Sequence, residues 1–203
     1  MLSLVIQAGG ESSRMGQDIA LVPFLGVPLI QRVFDRLAEL GEEVLITTNR
    51  PEAFTFLKTR CVPDLLPGQG ALGGLYTALS ASSYPLVAVV ACDMPFASAR
   101  LLMALRDLLE ETGGDAVIPR TASGLEPFHA IYRKASCLPR VKTSLEAGMR
   151  RVDSWFTQAR IEYVSDEELQ RIDPNPLIFY NVNTPADLLY AEQLARKLNE
   201  PRI

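Results

Sequence analysis

The sequence is poor in the residues from which most metal and nucleophile sites are built. It holds a single histidine, His129, which excludes a histidine-rich metal centre. Its three cysteines, Cys61, Cys92 and Cys137, stand far apart with no CxxC pair, which argues against both a zinc site and a disulfide scaffold. It also lacks a basic surplus. A net charge of -4 gives no general attraction to nucleic acid, so an anionic substrate would need local donors or a metal ion. Residues 65 to 92 carry no charge at all, but prolines at 67 and 85 and glycines at 68, 70, 73 and 74 break that stretch too often for a membrane span. The opening "MLSLVIQAGG" has no basic n-region and no apolar segment of signal-peptide length, so a cytoplasmic protein is expected.

What is present fits a single domain over 1–203. The apolar share of 48% and charged share of 22% leave enough apolar side chains for a sizeable core. "LSLVI" at 2–6 and "PLVAVVACD" at 85–93 are continuous apolar runs, as in strands buried on both faces. Between and after them, helical periodicity is expected at 28–40, more weakly at 52–58, then at 71–82 and 98–112. Gly41 reads as the stop of the first helix, and Ser98 and Gly113 as the caps of the last. Strands are expected at 43–49, 115–120 and 126–132, an extended piece at 59–64, and further helices at 134–147 and 184–198. This alternation predicts an α/β domain, a mostly parallel sheet with helices on both faces. Ligands in such sheets bind beyond the carboxyl ends of the strands, which singles out the loops 8–19, 63–70 and 92–96.

The first of these loops, "IQAGGESSRMGQDIAL", is chemically dense. Gly9 and Gly10 let the backbone approach an anion, Ser12 and Ser13 add hydroxyl donors, and Arg14 offers a two-pronged cation for phosphate. The same pair of glycines also suits a plain turn. Asp93, at the end of the densest strand, is placed to hold Mg²⁺, which prefers one or two carboxylates plus substrate phosphates, or else to cap a turn. "PDLLPGQGALGGL" sets Asp64 and Gly70 ahead of a helix whose N-terminus favours anions, or is a connector. Asn181 and Asn183 share a face if their segment is extended, although Asn183 or Thr184 also fits as the cap of the final helix, with Pro185 in its first turn. His129 and Cys92 read as packed core residues.

Taken together, "AGGESSRMGQD", "DLLPGQGALGGLYTAL", "VVACDMPF", "GLEPFHAIY" and "FYNVNTPADL" resemble the molybdenum cofactor guanylyltransferases, the MobA-like branch of the nucleotidyltransferases. They occur in the expected order across nearly the whole chain. The resemblance implies a Rossmann-like, three-layer nucleotidyltransferase fold, with a nucleotide-binding half at 1–120 and an acceptor-binding half at 121–203. It implies transfer of GMP from GTP to the terminal phosphate of molybdopterin with release of pyrophosphate. Product would pass to molybdoenzymes or their chaperones. On this resemblance Ala8, Gly9, Gly10, Ser12, Ser13, Ile19, Asp64 and Gly70 surround the guanine nucleotide. Arg14 and Asp93 would be the catalytic pair, with Mg²⁺ on Asp93, and Asn181, Asn183, Glu126 and Arg150 would lie on the acceptor side. Gly10, where cytidylyltransferase relatives usually carry alanine, favours guanine.

One position departs from the family pattern. The loop normally closes Asp-Lys, with the lysine on the phosphates, whereas here it closes Asp18-Ile19. Losing a donor to developing charge typically costs roughly 2.7–4 kcal/mol, about 10²–10³ in rate. Three expectations follow: Arg14 and Mg²⁺ suffice; a cation from the C-terminal third (Arg133, Lys134, Lys142, Arg150 or Arg151) folds over; or the chain binds nucleotide or molybdopterin without catalysis. A different phosphate acceptor is a further possibility.

Overall fold

The apolar run at the start of the chain becomes the middle of a sheet. The computed structural model describes residues 1–9 and 18–198. In chain order it places β1 (Leu2–Gln7), a hairpin of β2 (Pro23–Phe24) and β3 (Val27–Pro28), α1 (Leu29–Leu37), β4 (Glu43–Thr47), β5 (Arg60–Val62), α2 (Gly70–Ala81), β6 (Leu86–Ala91) and α3 (Ala99–Thr112). The later part comprises β7 (Ala116–Thr121), β8 (Gly124–Leu125), β9 (His129–Arg133), α4 (Lys134–Glu146), β10 (Ile161–Ser165), α5 (Asp166–Ile172) and α6 (Pro185–Lys197).

Among the described residues eight strands form one sheet in the order β10-β7-β9-β6-β1-β4-β5, with β8 beside β7. β1 pairs parallel with both β4 and β6, β4 with β5, and β10 with β7; only β9 and the short β8 run against their neighbours. Alternation along each strand sends side chains to opposite layers. Leu4 and Ile6 of β1 face a core shared with α1, α3 and α5, whereas Val5 faces the core under α2 and α4. The result is the three-layer arrangement expected of a Rossmann-like chain. A third, smaller cluster packs α6 through Ala191 and Ala195 against Val22, Phe24 and Phe96. No helix of the described residues is long and apolar enough to cross a membrane.

Several boundaries differ from the sequence expectation for identifiable reasons. Residues 51–57 form a 3-10 helix started by Pro51 and ended by Lys58 at φ 50°, not an α-helix. Gly41 does follow α1 and its 3-10 extension, but its φ of −116° is ordinary. Glycine is needed there because a Cβ would stand 3.0 Å from the Leu2 carbonyl oxygen and 2.9 Å from that of Glu43. β10 and α5 were not anticipated, although Ser165 and Glu168 form a reciprocal capping box that the sequence displays openly. Thr184 and Asp187 form a second one, so Thr184 caps α6.

α1 buries a charged residue. Arg32 is fully buried, its guanidinium lies 4.9 Å from the Phe24 ring centroid, and its Nε donates to the Pro95 carbonyl at 2.9 Å. One turn on, Arg36 Nε donates to the Ala97 carbonyl at 2.9 Å. The turn that follows β6 is thus pinned from α1. Replacing Arg32 by methionine keeps most of the volume but removes the donor. The expected loss is roughly 1.5–3 kcal/mol, a fall in Tm of about 3–12 °C for a chain of this size. A melting temperature within a degree of the unmodified chain would show that the Pro95 contact is dispensable.

Candidate functional site

The parallel strands stop at nearly the same level, and their carboxyl ends open onto one cleft of about 1340 Å³. Two backbone hydrogen bonds prolong the ladders past the strands: Ala8 N–H to the Thr47 carbonyl at 2.9 Å, and Cys92 N–H to the Gln7 carbonyl at 3.0 Å. Ala8 and Gly9 form the floor, and Ile19, Asp64 and Gly70 stand around it. Asp93 and Asn183 close the far side. All seven were expected at the nucleotide or acceptor on sequence grounds. Gly10, Ser12, Ser13 and Arg14 lie outside the described residues.

Asp64 is held in place by Asn49. The Asn49 amide donates to Asp64 Oδ2 at 3.0 Å, and the Asp64 backbone N–H donates back to Asn49 Oδ1 at 2.9 Å. Gly9 lies against this carboxylate, since a Cβ there would be 3.7 Å from Oδ2. A base edge with two donors, or a ribose, can meet a fixed carboxylate over an exposed glycine in this geometry. Asn49 and Arg50 were missed from sequence. "TNR" at 48–50 follows β4, so the strand-end rule that selected three other loops selects this one equally well.

The glycines before and within α2 serve the chain more than a ligand. Gly70 has φ +63° and packs against the Arg150 carbonyl oxygen, 3.3 Å from where its Cβ would be. A Cβ at Gly73 would be 2.6 Å from that of Gln69, and one at Gly74 would be 3.3 Å from the Gln7 amide oxygen. The Leu72 N–H in the first turn of α2 is already taken by the Arg150 carbonyl at 3.1 Å. The helix end expected to attract an anion is therefore partly satisfied from within.

Asp93 sits in the turn pinned by Arg32 and Arg36. Its backbone carbonyl accepts from Val182 N–H at 2.9 Å, which ties the segment carrying Asn181 and Asn183 to the strand end. Its side-chain Oδ1 is buried with no hydrogen-bond partner among the described residues. Burial lifts the carboxyl from 3.8 to about 6. A partly desolvated carboxylate with one unpartnered oxygen, on a residue that lines the cleft, suits a hard cation. No group of three or more His, Cys, Asp or Glu among the described residues could hold a metal alone. A Mg²⁺ ion here would have to complete its shell from substrate oxygens and water, as Mg²⁺ commonly does.

Of the residues expected on the acceptor side, only Asn183 lines the main cleft. Asn181 turns its amide back to the Phe179 carbonyl at 3.1 Å and does not line the cleft. The reason is that 181–183 is irregular, so the two asparagines do not share a strand face. Arg150 contributes its carbonyl to α2, and its guanidinium bonds the Met149 carbonyl beside it; Arg151 instead lines a second cavity of about 370 Å³ with Leu125, Pro127 and Asp153. Glu126 is half-buried, accepts from Thr121 Oγ1 at 3.4 Å, and is lifted to about 7 by burial and by the nearby Asp93 charge. It does not line the main cleft. His129 is fully buried, edge-on to Phe179 at 5.4 Å, and burial pushes it down to about 4, so it packs the core as a neutral ring. Burial raises the Cys92 thiol well above its ordinary value, which rules it out as a nucleophile.

The family profile of the MobA-like NTP transferase domain matches residues 4–161. A "probable molybdenum cofactor guanylyltransferase" of Pelotomaculum thermopropionicum is 38% identical over 98% of this chain and 96% of its own. A "molybdenum cofactor guanylyltransferase" of Desulfosudis oleivorans is 28% identical over 93% of each chain. Among solved structures, molybdopterin-guanine dinucleotide biosynthesis protein A of Archaeoglobus fulgidus superposes with a TM-score of 0.84 at 26% identity, covering 96% of this chain and 99% of that one.

The raised carboxyl of Asp93 has a thermodynamic sign. Between 3.8 and about 6 the folded chain keeps a proton on Asp93 that the unfolded chain has lost, so stability falls as pH rises through that window. Asp93→Asn is expected to flatten that part of the fall and to raise Tm at neutral pH, read from melts at several pH values. An unchanged slope would mean that Asp93 is not desolvated in the folded chain.

Proposed function

The chain belongs to the MobA-like NTP transferase family, and on that footing we propose that it transfers GMP from GTP to the terminal phosphate of molybdopterin, releasing pyrophosphate. The observation that carries the reading is the convergence of Gly9, the Asn49-Asp64 pair, Asp93 and Asn183 on one cleft. Asp64, held by Asn49, would take the guanine or ribose edge beside Gly9. An oxygen of the acceptor phosphate attacks the α-phosphorus, a new P–O bond forms, and the bond to the bridging oxygen breaks as pyrophosphate leaves. No covalent enzyme intermediate is required, so the protein's task is alignment and charge neutralisation.

Asp93 would hold Mg²⁺, which when bound neutralises charge on the transferring and leaving phosphates. The second cavity, beside Pro127 and Arg151, opens next to the cleft at their shared residue Ala71. It would receive the pterin end of the acceptor, with Arg151 toward its phosphate. The chain is read as a cytoplasmic protein acting on small molecules, its product passing to molybdoenzymes. Ile19 sustains a second reading, a nucleotide binder without turnover.

The deciding experiment is pyrophosphate release with GTP, Mg²⁺ and molybdopterin, with ATP and CTP as controls. The expected result is turnover with GTP alone, and a fall of roughly 10²-fold or more in Asp93→Asn. GTP binding without pyrophosphate release would favour the binder. Faster release from CTP than from GTP would overturn the guanylyl assignment.

A further inference from the structure

We propose that Arg50 supplies the phosphate-binding cation that the loop does not provide at Ile19. The inference rests on reading the cleft as the nucleotide site.

Among the described side chains lining the cleft, Asp18, Asp64 and Asp93 are acidic and Arg50 alone is basic. A triphosphate entering this wall meets carboxylates first, so its charge must be answered by bound cations and by whatever guanidinium can reach it. Arg50 is placed for that. It forms an ion pair with Oδ2 of Asp18, the residue immediately before Ile19 in the chain, and both Arg50 and Ile19 line the cleft. Asp18 is itself fixed, its Oδ1 accepting from Ala20 N–H at 3.0 Å as the cap of the short turn Ile19–Leu21.

The arginine is launched from a stiff base. Its backbone N–H donates to Thr48 Oγ1 at 3.2 Å, and Pro51 follows directly, which restricts the residue before it. Its side chain remains 54% exposed. The pair is open to solvent on the arginine side, although Asp18 is only 17% exposed, so the guanidinium is free to turn from the carboxylate toward a phosphate. Its planar fork can then take two phosphate oxygens together.

None of the five cations expected from the C-terminal third lines the cleft, and the guanidinium of Arg150 bonds the Met149 carbonyl beside it. Arg133 donates to the Gly114 and Leu109 carbonyls, Lys134 to the carbonyl of Ser82, and Lys142 pairs with Glu146. Arg151 pairs with Asp153 at the second cavity. Ile19, by contrast, packs its side chain partly against both neighbouring core clusters. A lysine there could lay its stem on the same apolar surface and extend its ammonium into the cleft. The two positions are therefore interchangeable sources of one charge.

The test is titration of Mg²⁺-GTP and of guanosine into the unmodified chain, Arg50→Gln, Arg50→Lys, and the double variant Arg50→Gln/Ile19→Lys, with pyrophosphate release measured on each. Arg50→Gln is expected to weaken GTP by roughly tenfold to a hundredfold, the worth of a charge-assisted hydrogen bond, and to leave guanosine affinity unchanged. Arg50→Lys should lose less, and Ile19→Lys should restore most of the loss in the double variant. Equal weakening of GTP and guanosine would make Arg50 a clip for the loop and overturn the proposal, as would full GTP affinity in Arg50→Gln or no rescue in the folded double variant. If the unmodified chain binds GTP through Arg50 but releases no pyrophosphate, the proposal stands and the transferase reading falls. Failure of the unmodified chain to bind GTP removes both.

Discussion

β1 is hydrogen-bonded to parallel partners along both edges, Ser3–Gln7 against Glu43–Thr47 and Leu2–Gln7 against Leu86–Ala91. Because three strands then run in one direction in register, they finish together, and three loops of different chemistry leave the sheet at one place. Gly9, Asn49 and Asp93 meet there although they come from separate parts of the sequence. The pairing also fixes which residues are core. A slip of one residue would exchange Leu4 and Ile6 with Val5 between the two helical layers, whose spaces differ. The site inherits its position from the same register that fills the core.

That arrangement has an electrostatic cost at Asp93. A carboxyl at the end of a buried strand, with one oxygen unpartnered, destabilises the folded chain in its charged form. The fold offsets this without neutralising the group. Arg32 and Arg36 of α1 bond the carbonyls of Pro95 and Ala97, and Val182 bonds that of Asp93, so the turn is secured by its backbone while Oδ1 of the carboxylate is left without a partner among the described residues. Had either guanidinium paired with the carboxylate itself, the geometry would be as firm and the oxygen unavailable. Glu126 is likewise raised, to about 7, by burial first and then by the Asp93 charge.

Much of this was legible in the residues. The continuous apolar runs gave β1 and β6, and the helical periods gave α1, α3 and α6 to within a few positions, because burial on both faces and on one stripe leave different patterns. Asp93, Asp64, Gly9 and Asn183 were found because they follow strands or precede helices. Asn49 and Arg50 were passed over for want of a glycine to draw attention to their loop, although the same strand-end logic covers them. Arg32 could not be read at all: its burial depends on Phe24 and on Pro95 and Phe96, partners supplied by two segments distant from each other in the chain. Asn181 was placed with Asn183 on the premise of an extended segment, and the chain bends there so that its amide satisfies a local carbonyl instead.

The departure at Ile19 shows what sequence comparison of one loop misses. A phosphate responds to the position and orientation of a charge, not to the segment that carries it. A lysine on the loop would be a mobile point charge on a flexible stem, whereas a guanidinium rising from the end of β4, held through Thr48 and Pro51, arrives with less freedom to lose. Asp18 then does two things with its two oxygens, closing the turn at Ala20 with one and parking the cation with the other. The Ile19 side chain packs partly against the two apolar clusters beside it. An apolar residue at a phosphate site is a defect only if no other strand end can deliver charge to the same point, and in this sheet the neighbouring strand ends beside it.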